Sequence, residues 1–350
     1  ATKWEKKNDG KTYIFHLRKG VKFQDGTDFN ADAVVFNFKR WQNGSDKDNF
    51  AYYPSMFGGF GDKSVIKDVK AIDDNTVEFD LRTPSAPFLK NLAMTPFAIA
   101  SPTAVKKEGK QFSKKPVGTG PFKFDSWDKN SKIVLKENDD YWDKGKPKLK
   151  QLIFQVIPDN SSRLNALKNG EIDLMDGVNP SDVKGIKSND QLKIVNRPPL
   201  NLGYLGFNVE KKPFNNKKVR QALNHAVNKQ ALIDAFYAGN GKPAKNPEPQ
   251  TIEGFNDQVK PYKYDLDEAK KELADAGYPN GFNMELWTMD NPRPYLPQPG
   301  KIAEAIQSSF GKIGVKVKIK TVEWSTYIDK LTKGESPAFL MGWTGDNGDI

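Results

Sequence analysis

Along the last third of the chain the apolar positions switch repeatedly between a helical and a strand period. Asp265, with Glu268 three residues on, opens a helix that stops at Gly277, and 282–288 follows as a strand. Ile302, Ile306 and Phe310 make the i, i+4, i+8 stripe of a helix closed by Gly311. Val315, Val317 and Ile319 alternate with lysines as a half-exposed strand, 325–333 is a short helix, and 338–343 is a buried strand. Strands separated by helices predict parallel pairing, with ligands held at the strands' carboxyl ends.

Earlier segments carry the same grammar less regularly. Tyr13, Phe15, Leu17, Val21 and Phe23 alternate across a Lys19-Gly20 break, which predicts one bulged or turned strand over 12–23. Asn30 caps a helix with Val34, Val35 and Phe38 on one face. Segments 69–72 and 76–81 flank the turn Asp73-Asp74-Asn75 as a hairpin. Pro116-Val117-Gly118-Thr119-Gly120-Pro121-Phe122 marks a crossing between domains, followed by strands 132–135 and 152–157. Helices are expected at 160–168, ending at Asn169-Gly170, and at 217–226 and 229–237, with a strand over 203–209 between them.

A chain of 350 residues exceeds one ordinary core, so several domains are expected: 1–112, mostly β; 113–238; and 239–350, where α/β alternation is clearest. With 37% apolar residues and 7 Trp, the chain buries a large core and is not disordered. No stretch approaches the roughly 20 apolar residues of a membrane span. Cysteine is absent, which removes disulfides, thiolate metal sites and cysteine nucleophiles. The net charge of +10 invites a nucleic-acid reading, but the 54 basic residues are interleaved with 44 acidic ones and no aromatic platform alternates with them. A solvated, lysine-rich surface is the better account.

Catalysis finds little support. The two histidines, His16 and His225, have no Ser or Asp partner visible in sequence, and Gly118-Thr119-Gly120 lacks the Lys-Ser/Thr of a phosphate loop. Asp346, Asn347 and Asp349 lack the alternate-position ligands of a calcium loop. No catalytic residue, metal or cofactor is expected. Two clusters at strand ends stand out instead: Asp290-Asn291-Pro292-Arg293-Pro294-Tyr295, and Gly342-Trp343-Thr344-Gly345-Asp346-Asn347-Gly348-Asp349. A structural salt bridge, or two loop charges facing water, would account for Arg293 and Asp346. So would a pocket for a zwitterion: the arginine fork matches a carboxylate, the aspartate a protonated amine, and Trp343 an apolar wall. Proline on both sides stiffens Arg293 for such a task.

The chain resembles family 5 extracellular solute-binding proteins of bacterial ABC importers. The resemblance rests on Asp9-Gly10-Lys11-Thr12-Tyr13-Ile14-Phe15-His16-Leu17-Arg18-Lys19-Gly20-Val21-Lys22-Phe23, on Asn30-Ala31-Asp32-Ala33-Val34-Val35-Phe36 and on Gly118-Thr119-Gly120-Pro121-Phe122. Lys218-Val219-Arg220-Gln221-Ala222-Leu223 and Ala226-Val227-Asn228-Lys229 extend it, and the 342–349 run is similar to the dipeptide-binding branch. It implies an α/β, two-lobed, periplasmic-binding-protein-like fold (type II, hinged). Residues 1–112 would then be an additional small α+β domain, 113–238 part of the first lobe and 239–350 part of the second. It implies ligand-binding roles for Arg293, Asp346, Trp343 and Gly342, with Tyr295 beside them, and a non-enzymatic receptor that passes dipeptides or short peptides to membrane permease subunits. Longer oligopeptides, nickel chelates or haem are the alternative cargoes. It further implies a monomer that binds no nucleic acid, on a Gram-positive cell surface or in a periplasm. A signal, a lipidated N-terminal cysteine and a C-terminal part would lie outside this sequence.

Overall fold

The computed structural model describes residues 1–43, 50, 52–196 and 200–345. By contacts the chain divides into two compact units, Ala1–Ile157 and Pro158–Ile350.

The first unit holds two antiparallel sheets. One has the order β1-β2-β4-β3, built from β1 (Lys3–Lys7), β2 (Thr12–His16), β3 (Ile66–Asp73) and β4 (Thr76–Leu81). In β4 the side chains alternate, so Val77, Phe79 and Leu81 are buried while their neighbours stay partly wet. Helix α1 (Ala31–Gln42) covers this face with Val34, Phe38 and Trp41, and Val35 is only half-buried. The Asn30 side chain caps α1 by accepting from Ala33 N at 3.0 Å. Three short helices, α2 (Tyr52–Phe57), α3 (Phe88–Leu92) and α4 (Pro102–Glu108), complete the packing. The second sheet runs β5 (Phe122–Asp128), β6 (Lys132–Glu137), β7 (Gln151–Gln155).

Segment 12–23 departs from expectation. Only Thr12–His16 joins the ladder; Leu17 N then bonds Asn75 O, and Gly20 turns the chain at φ +71°. Val21 and Phe23 are buried nonetheless, so their alternation reflects a turn packed on the core and no second strand. β1 and β5 were not expected; β1 is polar, with only Glu5 less than exposed, so its pattern carries no strand period.

The second unit begins with α5 (Asn160–Lys168) and α6 (Val183–Lys187), then β8 (Asn201–Phe207), α7 (Lys217–Ala226), α8 (Lys229–Tyr237) and α9 (Leu266–Asp275). The α/β alternation follows: β9 (Asn283–Met289), α10 (Pro299–Gly311), β10 (Lys316–Val322), α11 (Trp324–Thr332) and β11 (Ala338–Thr344). The sheet order is β10-β9-β11-β8, with β10 and β11 parallel to β9 and β8 antiparallel to β11. Asp265 caps α9 by accepting from Glu268 N, but its own N–H donates to His225 O, so the reciprocal half of a capping box is replaced by a tertiary bond. The central strand β9 is buried on both faces, from Met284 through Leu286 and Trp287 to Met289, as a strand between two layers must be. Ile302, Ile306 and Phe310 of α10 and Val219, Ala222 and Leu223 of α7 join the same core.

Strands β9 and β11 are barely joined. Their register holds the single pair Phe339↔Trp287. Tyr327, fully buried on α11, fills the gap: its hydroxyl sits 2.5 Å from Leu340 O and 3.2 Å from Trp287 O, one acceptor on each strand. Burial pushes the Tyr327 phenol up, so it stays a donor at every ordinary pH. Tyr327→Phe leaves buried carbonyls short of a donor and is expected to lower unfolding stability by about 1–3 kcal/mol in urea titrations. A loss below about 0.5 kcal/mol would show that the strands do not depend on it.

Candidate functional site

Parallel pairing puts the carboxyl ends of β9, β10 and β11 at one edge of the second unit's sheet, and the antiparallel β8 starts there too, Asn201 opposite Thr344. Ligands in open α/β sheets sit at such an edge, beside the point where the chain's crossing direction reverses. Here β9 leads to one neighbour, β10, and the chain returns across β9 to form β11. Arg293 follows β9, Trp324 follows β10, and Gly342 and Trp343 end β11.

The Arg293 loop is closed on itself. Arg293 N donates to Leu296 O at 3.0 Å and Leu296 N to Arg293 O at 2.9 Å, with Pro294 and Tyr295 at the turn. Leu296 is 3% exposed and anchors the loop in the core. Tyr237 on α8 donates its hydroxyl to Tyr295 O at 2.7 Å, and burial pushes that phenol up to about 12.

The loop lies directly against the sheet because Gly342 and Gly203 face each other across β11 and β8. A Cβ on Gly203 would lie 2.5 Å from Tyr295 O. One on Gly342 would lie 2.1 Å from the Tyr295 ring and 2.6 Å from Leu202 O. Burial raises the Tyr295 phenol, with Arg293 pulling the other way and Tyr204 adding to the rise.

The Arg293 guanidinium makes no hydrogen bond or ion pair with any described residue. Its Cζ sits 3.6 Å from the centroid of the Trp324 ring, and its Nε is buried without an acceptor among the described residues. A buried N–H normally finds a partner. Arg293 pairs with no carboxylate among the described residues, and the salt bridge to Asp346 that sequence left open falls outside them. Asp346 lies outside those residues. Trp343 is 56% exposed and alternates to the face opposite Gly342, so it does not share the Tyr295 contact. Gly345 N, just beyond, donates to Leu200 O at 2.8 Å.

Sequence reasoning missed Trp324, Gly203 and Tyr237. The first had a signal: an aromatic residue placed directly after β10, on the edge that Arg293 and Gly342 share. Two open clefts, ≈ 580 Å³ between β2 and the 73–76 turn and ≈ 350 Å³ beside Arg82, belong to the first unit and touch none of these residues. Among the described residues no group of three or more His, Cys, Asp or Glu side chains is placed to hold a metal, and no helix is long and apolar enough to cross a membrane.

Residues 1–350 match the profile of bacterial extracellular solute-binding proteins, family 5 Middle. The chain belongs to this family. As a family 5 solute-binding protein it is 44% identical, over 363 residues, to the dipeptide-binding protein of Escherichia coli (strain K12), covering all of this chain and 68% of that one. It is 40% identical over 367 residues to heme-binding protein A of Haemophilus influenzae, covering all of this chain and 66% of that one. A dipeptide-binding protein of Pseudoalteromonas sp. SM9913, solved in complex with Met-Leu, superposes with a TM-score of 0.89 at 32% identity, over all of this chain and 71% of that one. The chain thus spans about two thirds of these relatives. The match bears out the periplasmic-binding-protein type of fold expected from sequence, and the family is one of extracytoplasmic receptors for solutes.

Gly342→Ala forces the 292–296 loop off the sheet, and a cost of about 1–3 kcal/mol is expected in chemical denaturation, as for other overpacked sites. Full stability in the variant would mean that the Tyr295 ring does not rest on Gly342.

Proposed function

We propose that this chain is the ligand-binding part of an ABC-importer receptor that takes dipeptides or short peptides by their charged ends and passes them to a membrane permease. The observation that carries the reading is Arg293: a guanidinium half-buried at the sheet's carboxyl edge, backbone-pinned, stacked on an indole, and with no acceptor among the described residues. A preorganised arginine of this kind fits a carboxylate bidentately. Asp346, Gly342, Trp343 and Tyr295 complete the site in this reading, with Asp346 receiving the ammonium. Specificity then rests on the two termini, so one site accepts many sequences.

The same reading assigns 1–112 to an additional small domain, 113–238 to the first lobe and 239–350 to the second. It takes the protein to act as a monomer that binds no nucleic acid and performs no chemistry on its ligand, tethered by an N-terminal lipid at a Gram-positive cell surface or held in a periplasm. These assignments rest on the family resemblance; the basic surface suits an anionic envelope. Haem is the second cargo to weigh, because a relative at 40% identity is named for it.

Calorimetry on the full-length protein with Met-Leu, N-acetyl-Met-Leu and Met-Leu amide tests the proposal. Each blocked end is expected to weaken binding at least about tenfold, and Arg293→Ala and Asp346→Ala each to weaken Met-Leu by a similar factor, about 1.4 kcal/mol or more. Affinity unchanged in both variants contradicts the site. Saturating one-to-one haemin binding without any heat from peptides would favour the second cargo.

A further inference from the structure

We propose that Trp324 is a positioning residue for the carboxylate end of the ligand, holding the Arg293 guanidinium in the plane that recognition requires. The inference rests on the peptide reading above and adds a residue to it.

A guanidinium has five N–H donors confined to one plane, so the direction in which it can bind a carboxylate is set by the tilt of that plane. An unpaired arginine on a loop turns freely about its side-chain torsions, and ordering it costs rotamer entropy. Arg293 has a support that limits this freedom. Its Cζ lies 3.6 Å from the Trp324 ring centroid, the distance of a stacked pair rather than an edge contact. Stacking occupies one face of the guanidinium and leaves its in-plane donors free, which is the opposite of what a salt bridge would do. Among the described residues no carboxylate competes for those donors, and the buried Nε has no acceptor.

Trp324 is itself held in two ways, at its backbone and at its ring. Glu323 caps α11, accepting from Ser325 N at 2.9 Å, Thr326 N at 3.1 Å and Ser325 Oγ at 2.6 Å. The Ser325 side-chain bond, followed by the two backbone bonds, holds the Glu323 carboxyl down at about 2, so the cap stays charged at neutral pH. That cap sets Trp324 as the first residue of the helix. One turn on, the Trp324 ring lies 6.3 Å from that of Tyr327, whose hydroxyl is tied to the carbonyls of β9 and β11. The surface under the guanidinium is thus continuous with the core of the sheet. A change at Trp324 should reach the ligand only through Arg293, and only at the carboxylate.

The test compares Met-Leu with Met-Leu amide on full-length wild-type protein, Trp324→Leu, Trp324→Phe and Arg293→Ala. Trp324→Leu keeps apolar bulk and removes the strongest ring; it is expected to weaken Met-Leu roughly 3- to 30-fold while moving the amide by less than about twofold. Trp324→Phe, which keeps a ring, should recover most of the loss. Equal weakening of both peptides, or no weakening of Met-Leu, overturns the proposal. If Trp324→Leu fails to fold, Trp324→Phe decides alone: a smaller loss confined to Met-Leu supports the proposal, and an equal loss on both peptides overturns it. Arg293→Ala separates the two levels. If it leaves Met-Leu binding intact, the peptide reading of Arg293 falls first; if it weakens Met-Leu and Trp324→Leu does not, only the role of Trp324 falls.

Discussion

A loop can press its backbone on a sheet only where the sheet offers no side chain, and Gly203 and Gly342, paired across β8 and β11, provide that place. The Tyr295 carbonyl and ring rest on them. With the loop seated, Leu296 enters the core, the two Arg293–Leu296 hydrogen bonds close, and the arginine emerges at the carboxyl edge at a fixed height. A methyl group on either glycine would lift the loop and move the guanidinium by a comparable distance. Binding sites lose affinity steeply for displacements of that size. The glycines therefore set where the guanidinium stands.

Around this contact the sheet is arranged to leave room. The β9–β11 pairing is one residue pair long, and a tyrosine hydroxyl replaces part of the missing ladder. Loosely joined parallel strands at a reversal of chain crossing mark the edge where open α/β sheets hold ligands. At that edge planar charge follows β9, an aromatic face follows β10, and Gly342 lies near the end of β11. Tyr327 supports both the strand junction and the indole beneath Arg293.

Much of this was legible in sequence. Helix starts at Asn30 and Asp265, the stripe Ile302, Ile306, Phe310 and the alternation in 315–319 all carry local physics strong enough to survive tertiary packing. Elements specified by pairing alone were lost: β1 is a polar edge strand, and β5 lies behind a run of glycine and proline. The buried turn 17–23 imitated a strand, because burial of Val21 and Phe23 produces the same alternation as a pleat. At the site, Arg293 was readable from its flanking prolines. The support of Trp324, Gly203 and Tyr237 was not, since it depends on which strands become neighbours. Gly342 was noted for its sequence context; its physical role, accommodating Tyr295, appears only in three dimensions.

A crystal structure of the full-length protein with Met-Leu bound tests the central claim most directly. The account predicts the peptide carboxylate about 3 Å from the Arg293 guanidinium nitrogens, the ammonium at Asp346, and the guanidinium still stacked on Trp324. A peptide carboxylate held elsewhere, with Arg293 paired to a protein carboxylate or turned away from the ligand, would contradict it.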